Sequence, residues 1–114
     1  MSVRYSKLSG YRIMWIWALF DLPVQTPGER KRAIRFRKDL LDTGFEMVQF
    51  SVYAKYCASK ERAEAVSSQI GQLVPERGKV DLLFFTDKQF ELTQSFRGPN
   101  QSNLLEKPGQ LALF

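Results

Sequence analysis

Residues 13–20 form an unbroken apolar run, Ile-Met-Trp-Ile-Trp-Ala-Leu-Phe, which ends at Asp21. The run is too short to cross a membrane and is rich in strand-forming residues, so it predicts a buried β-strand. Pro23 cannot take part in a hydrogen-bonded ladder, and the strand is therefore expected to end near Asp21. This pattern places a carboxylate at the point where a strand passes into a loop.

A helix is predicted from Pro27 to about Thr43. Thr26 is a favoured N-cap residue, Pro27 fits the first helical position, and Glu29 follows the cap at the spacing of a capping box. Gly44 supplies the stop. The apolar residues of this helix fall on one side at helical spacing: Ala33, Ile34, Phe36, Leu40 and Leu41.

The rest of the chain predicts further strands and a second helix. Residues 45–56 are strand-like but long for one strand, so a kink or tight hairpin is expected near residues 49–51. Ser59 caps a second helix. Its apolar face comprises Ala63, Val66, Ile70 and Leu73. Residues 80–86 predict another strand, and the weaker alternation of residues 89–96 predicts an edge strand.

The order strand, helix, strand, strand, helix, strand is that of the ferredoxin-like split βαβ plan. In this α+β fold, βαββαβ, both helices lie on one face of an antiparallel sheet, and residues 89–96 would add an extra C-terminal strand. The chain divides into a flexible N-terminal extension at 1–11, a ferredoxin-like domain at 12–96, and a C-terminal linker and apolar tail at 97–114.

Two helices leave one face of such a sheet bare. Trp15 and Trp17 lie on one side of the first strand while Met14 and Ile16 lie on the other, so both faces are apolar. A homodimer that packs sheet against sheet is the simplest arrangement that would bury the second apolar face. Its predicted interface comprises Trp15, Trp17, Phe90 and Leu92. The alternative is an aromatic platform for single-stranded bases, although residues 50–56 lack the Lys/Arg-Gly-aromatic signature of RNA-recognition motifs.

The chain is basic, with 17 Lys+Arg against 12 Asp+Glu and a net charge of +5, which favours an anionic partner. The first helix concentrates six of these cations: Arg30, Lys31, Arg32, Arg35, Arg37 and Lys38. Neighbouring acids cannot neutralise them all, so phosphate contact is predicted. Arg30 and Arg37 lie on the apolar side and need partners. Five further cations could extend this phosphate-binding track, although the sequence cannot place them relative to one another: Lys55, Lys60, Arg62, Arg77 and Lys79.

The chain has no histidine, which excludes Ser-His-Asp and Cys-His catalysis and most zinc sites. Cys57 is the only cysteine, so no internal disulfide forms and a small core residue is the favoured interpretation. The lone cysteine predicts a reducing, cytoplasmic location, and the first apolar run lacks the small-residue cleavage site of a secretion signal. We expect no membrane association.

Hydrolytic chemistry would therefore run on carboxylates. Magnesium takes one or two carboxylates and keeps several waters, so Asp21 from two chains, meeting across a dimer axis, would suffice to share one ion. Such an ion polarises a phosphodiester and generates a hydroxide. The alternative is that Asp21 hydrogen-bonds its own turn, as Asp-x-Pro residues often do.

Six short segments form a combined pattern: Leu19-Phe-Asp-Leu-Pro23, Glu29-Arg-Lys-Arg32, Phe36-Arg-Lys38, Gly44-Phe45, Met47-Val-Gln-Phe-Ser-Val-Tyr53 and Thr86-Asp-Lys-Gln-Phe90. In this order they resemble the small CRISPR-associated protein, assigned as an endoribonuclease family, that works with the CRISPR integrase in spacer acquisition. The match spans about residues 12–96.

The resemblance implies a ferredoxin-like homodimer whose C-terminal strand crosses to the partner chain. It implies a metal-dependent endonuclease with Asp21 as the catalytic and metal-binding position, and a bridge between two integrase dimers that holds double-stranded DNA. Phe20 stands where this family often has Tyr, which removes a hydroxyl. The apolar tail at 110–114 is a candidate docking peptide for strand addition. Three functions stay open: the adaptor, an endonuclease on RNA or DNA, and a single-stranded RNA-binding module.

Overall fold

The computed structural model describes residues 15–99. In chain order the elements are β1 (Trp15–Asp21), α1 (Pro27–Asp42), β2 (Glu46–Gln49), β3 (Val52–Tyr56), α2 (Lys60–Leu73), β4 (Lys79–Phe85) and α3 (Asp87–Glu91). The strands form one antiparallel sheet in the order β2-β3-β1-β4. The predicted α+β, ferredoxin-like plan is confirmed. The expectations for residues 1–11, Met14 and residues 100–114 fall outside the described part of the chain.

Both ends of α1 follow the predicted local signals. The Thr26 hydroxyl accepts a hydrogen bond from the Glu29 N–H at 3.1 Å, and the Glu29 carboxylate accepts one from the Thr26 N–H at 3.1 Å. This reciprocal pair is the capping box. At the other end Gly44 has φ +105°, a conformation that a residue with a Cβ rarely adopts. The helix therefore stops where the glycine permits the chain to turn back.

One core lies between the helices and the sheet. Its buried members include Ile16, Ala18 and Phe20 of β1, Ala33, Phe36 and Leu40 of α1, and Ala63, Val66 and Ile70 of α2. The prediction that Ile34 and Leu41 join this face is wrong, because both side chains are exposed. Each is one residue, about 100° of helical rotation, away from the buried Ala33–Phe36–Leu40 stripe. The stripe is therefore narrower than the apolar pattern of the sequence.

The long segment 45–56 is a hairpin, as predicted. β2 pairs with β3 around a turn at residues 50–51, and the pairing is irregular between Met47 and Gln49. The hairpin leaves β2 at one edge of the sheet and β4 at the other.

The predicted edge strand at 89–96 is wrong. Residues 87–91 form α3, and residues 92–99 have no regular helix or strand, so no extra C-terminal strand exists within residues 15–99. The reason is a second capping box. Gln89 donates its backbone N–H to the Thr86 hydroxyl at 3.1 Å, and the Gln89 side chain accepts from the Thr86 N–H at 3.0 Å. A helix therefore begins directly after β4.

Candidate nucleic-acid interface and carboxylate site

Asp21 is the last residue of β1 and lies exposed, directly opposite Lys79 across the β1–β4 ladder. Its carboxylate makes no hydrogen bond and no ion pair with any residue in the range 15–99. The alternative prediction, in which Asp21 bonds its own turn, is therefore wrong. The strand end presents a carboxylate to solvent with its oxygens available to a ligand.

Whether one chain can bind a metal ion depends on the ligand side chains that lie near Asp21. Among residues 15–99 no group of three His, Cys, Asp or Glu side chains lies close enough to bind one. Lys79, which faces Asp21, places its ammonium 3.5 Å from the Asp81 carboxylate. Within residues 15–99 one protomer thus supplies a single carboxylate at this strand end, and magnesium binding between two copies of Asp21 stays a prediction.

Glu29 is the acid at the start of α1, close to this end of the sheet. The backbone N–H of Thr26 is the main cause that lowers the Glu29 pKa below its ordinary value. The N–H of Gln25 and the charges of Arg77 and Arg32 act in the same direction, against partial desolvation. Glu29 is therefore held as a carboxylate that caps the helix.

Arg30 and Arg37, which the sequence places on the apolar side of α1, both have partners. Arg30 Nη1 donates to the carbonyls of Val24 and Gln25, each at 3.2 Å. The Arg37 guanidinium carbon lies 3.8 Å from the centroid of the Phe50 ring, and its Nε donates to the Phe50 carbonyl at 3.4 Å. These two arginines hold the loop before α1 and the β2–β3 turn against the helix.

The other four cations of α1 are exposed. Lys38 and Arg35 each approach the aspartate four residues further on, at 3.1 Å and 3.7 Å. Exposed pairs of this kind contribute only about 0.3–0.5 kcal/mol, so an incoming phosphate displaces them at little cost. Lys31 and Arg32 form no ion pair or hydrogen bond within the described chain. The predicted phosphate-binding set thus divides into two structural arginines and four available cations.

α3 packs on the sheet face opposite α1 and α2. The Phe90 ring stacks on Trp15 with centroids 3.9 Å apart and planes 10° apart, and it lies 6.0 Å from Trp17. Trp15 Nε1 also donates to the Asp87 carboxylate at 3.0 Å. Leu92, the other predicted interface residue on this segment, is exposed. The structure brings Trp15, Trp17 and Phe90 together within one protomer, and their role in a dimer interface stays a prediction. The signal in the sequence that points to α3 is the Thr86-x-x-Gln89 capping pair.

Cys57 is buried in the core, which confirms the predicted structural role. Burial raises the pKa of its thiol, with the charges of Lys55 and Arg62 opposing that shift. A thiol in such surroundings stays protonated and inert.

Comparison with known proteins identifies the family. Residues 14–93 match the family described as CRISPR associated protein Cas2. The chain belongs to the Cas2 family. This confirms the resemblance carried by the six sequence segments, and it makes the chain a member of a CRISPR-associated family.

The relatives that carry the name "CRISPR-associated endoribonuclease Cas2" include two that match nearly the whole chain. The protein of Paracidovorax avenae is 47% identical over 107 residues, which cover 94% of this chain and 99% of the relative. The protein of Flavobacterium psychrophilum is 46% identical over 110 residues, 96% of each chain.

Solved Cas2 structures support the fold. The crystal structure of Streptococcus pyogenes Cas2 at pH 6.5 aligns with a TM-score of 0.58 at 19% identity, covering 74% of this chain and all of that one. A structure described as "Crystal structure of cas2" aligns with a TM-score of 0.55 at 24% identity, covering 82% and 98% of the two chains. In this chain, Asp21 at the end of β1 and the basic helix α1 are therefore parts of a fold that solved Cas2 structures share. Within residues 15–99 no helix has the length and apolar character to cross a bilayer.

Proposed function

We propose that this Cas2-family chain is a dimeric adaptor of CRISPR spacer acquisition, which binds duplex DNA and bridges integrase dimers. The observation that carries the proposal is the set of available cations on α1: Lys31, Arg32, Arg35 and Lys38. They sit on one rigid helix whose two remaining arginines are committed to packing. Fixed, weakly paired cations on a regular element suit the repeating phosphates of a duplex.

A second copy supports this role because the outer sheet face is only partly covered. α3 lies over Trp15 and Trp17, whereas Leu19 and Leu83 further along β1 and β4 stay exposed. A two-fold dimer that buries these leucines joins two basic helices into one assembly. The bridge to the integrase then uses protein surface and requires no bond cleavage.

The test removes three cations of α1 by Arg32→Ala, Arg35→Ala and Lys38→Ala in one variant. Duplex affinity is measured as a function of salt. The slope of log K against log salt is expected to shrink by about 0.9 for each phosphate that the variant no longer neutralises. A control variant removes two exposed cations that lie outside the predicted phosphate-binding set, Lys88 and Arg97. An equal reduction of affinity per charge removed in both variants would mean that only net charge matters, and the proposed surface would be wrong.

A second candidate function is a magnesium-dependent endonuclease. It is favoured by the Asp21 carboxylate, which has no partner within residues 15–99, and by the endoribonuclease name of the relatives. Magnesium bound between two copies would supply a Lewis acid that polarises the phosphodiester. The part of this chain's own residues is to hold the ion through Asp21 and the nucleic-acid backbone through the cations of α1.

Asp21→Asn separates the two candidates because it removes the charge and keeps the shape. Spacer integration that survives this change, with nuclease activity abolished, supports the adaptor. Integration that collapses while folding and dimerisation stay intact contradicts it. The third function, a single-stranded RNA platform, is disfavoured because Phe90 occupies one face of Trp15. A marked preference for single strands over duplex in the same binding assay would reinstate it.

A further inference from the structure

Phe50 lies in the turn between β2 and β3, and it is 68% exposed. An exposed apolar side chain is common on protein surfaces and by itself indicates no function. Phe50 differs from Phe96, which is exposed and has no ring contact within residues 15–99, because a second residue fixes the Phe50 ring. An aromatic ring that is both exposed and held in one orientation is suited to contact a flat ligand.

Arg37 holds the Phe50 ring from one side. Its guanidinium carbon lies 3.8 Å from the centroid of the ring, and its Nε donates to the Phe50 carbonyl at 3.4 Å. The same guanidinium carbon lies 5.7 Å from the centroid of the Phe20 ring, which is buried in the core. Arg37 therefore fixes both the ring and the backbone of Phe50 against a rigid part of the protein. Since Arg37 covers one face of the ring, the exposed area is that of the opposite face and the edge.

The turn that contains Phe50 lies at the Asp21 end of the sheet. The Phe20 N–H donates to the Ser51 carbonyl at 3.1 Å. Because β1 and β3 are antiparallel, the residue after Phe20 and the residue before Ser51 come next at the same end of this strand pair. These two residues are Asp21 and Phe50. The exposed ring and the exposed carboxylate therefore belong to the same end of the sheet.

The charge beneath the ring favours a nucleotide over an apolar protein surface as the ligand. Arg37 has no carboxylate partner within residues 15–99. An apolar protein surface that covered Phe50 would desolvate this guanidinium without neutralising it, which is unfavourable. A nucleotide instead brings a flat base for the ring and a negative phosphate for the cations of the same helix, of which Lys38 is the next residue.

We propose that Phe50 stacks on an unpaired base of the bound nucleic acid, with the base on the face of the ring opposite Arg37. The proposal rests on the nucleic-acid binding proposed above, and it adds a contact that the cations of α1 do not provide. A base inside a duplex is already stacked on its neighbours, so Phe50 selects a base in an overhang or a bulge. The Asp21 end of the sheet thus distinguishes the end of a duplex from its paired interior.

The test compares two DNA ligands. One is a blunt duplex, and the other is the same duplex with a short single-stranded overhang that contains a fluorescent base analogue, whose emission is quenched by stacking. The wild-type protein should bind the overhang duplex more tightly and quench the analogue. Phe50→Ala should weaken binding of the overhang duplex by about fivefold to 150-fold, the range for loss of one base–aromatic stack, and abolish the quenching. Affinity for the blunt duplex should stay unchanged because the cations of α1 are intact.

Three further variants separate stacking from other roles of the side chain. Phe50→Tyr keeps the ring and should behave as the wild-type protein does. Phe50→Leu keeps apolar volume but has no aromatic face, so it should bind the overhang duplex as weakly as Phe50→Ala. Phe96→Ala removes another exposed phenylalanine and should leave both affinities unchanged.

The outcomes are distinguishable. If the wild-type protein prefers the overhang duplex and Phe50→Ala keeps that preference and the quenching, the stacking site is overturned while the adaptor proposal stands. Equal losses for blunt and overhang duplex would show that Phe50 only positions α1, and this too would overturn the stacking site. If Phe50→Ala leaves both DNA affinities unchanged but abolishes binding of the integrase, the ring is a protein contact and the proposal is wrong. If the wild-type protein binds neither ligand, the proposed function falls first and the stacking site with it.

Discussion

Replacing Phe90 with alanine tests whether α3 holds the outer face of the sheet in place. Phe90 is half-buried and stacks on Trp15 at 3.9 Å, with a second ring contact to Trp17 at 6.0 Å. The aromatic pair contributes about 0.5–1.5 kcal/mol beyond area burial. Half the burial of a Phe side chain adds about 1 kcal/mol. We therefore expect Phe90→Ala to lower the free energy of unfolding by about 2 kcal/mol.

The assay is urea unfolding, followed by tryptophan fluorescence and far-UV circular dichroism at several protein concentrations. Both tryptophans of the chain contact Phe90, so fluorescence reports directly on the site of the change. The concentration series separates protomer stability from association, because dimerisation makes the unfolding midpoint depend on protein concentration.

Two comparison variants make the result decisive. Phe96 is 84% exposed, and Phe96→Ala should change stability by less than about 0.5 kcal/mol. Leu92 is 76% exposed, so Leu92→Ala should leave the stability of the protomer unchanged. It should weaken only dimerisation, seen as a smaller dependence of the unfolding midpoint on protein concentration. If Phe90→Ala falls within about 0.5 kcal/mol of Phe96→Ala, the docking of α3 on the sheet is refuted.

Two other predictions follow from the core and from the start of α1. Phe36 is 1% exposed, so Phe36→Ala should cost about 3–5 kcal/mol in chemical denaturation, whereas Ile34→Ala, on the exposed side of the same helix, should cost less than about 0.5 kcal/mol. Glu29 has a pKa below its ordinary value of 4.5 when folded, so its stabilising contribution is present above that value and disappears as pH falls through the folded pKa. Wild-type stability should therefore fall more steeply than that of Glu29→Gln between about pH 5 and pH 3, measured by urea midpoints. Parallel pH profiles would show that the capping carboxylate does not titrate as described.

The sequence was sufficient where structure is determined by local signals. The ends of α1 follow from Thr26, Glu29 and Gly44, which lie close to the helix termini and act through the neighbouring backbone. The hairpin at 49–51 followed from strand length alone. The position of Asp21 at the strand end followed from its place before Pro23, although its lack of a partner within residues 15–99 needed the structure.

The sequence did not predict the structure correctly where contacts between residues far apart in the chain determine it. Ile34 and Leu41 are apolar at helical spacing, and only the packing of α1 against the sheet shows that their side chains face solvent. Residues 90, 92 and 96 fit a strand period, yet the Thr86–Gln89 capping box and the Trp15 ring select a helix. Trp15 and Asp87, 72 positions apart, form their hydrogen bond only through the fold.

The account depends on two copies that join the exposed parts of their outer sheet faces and present their basic helices to one duplex. The most direct measurement is the solution mass by light scattering, taken with and without a short DNA duplex. We predict twice the 13.2 kDa of one chain for the protein alone, and that dimer mass plus one duplex in the complex. A mass of 13.2 kDa at working concentration, unchanged when duplex is added, would contradict it.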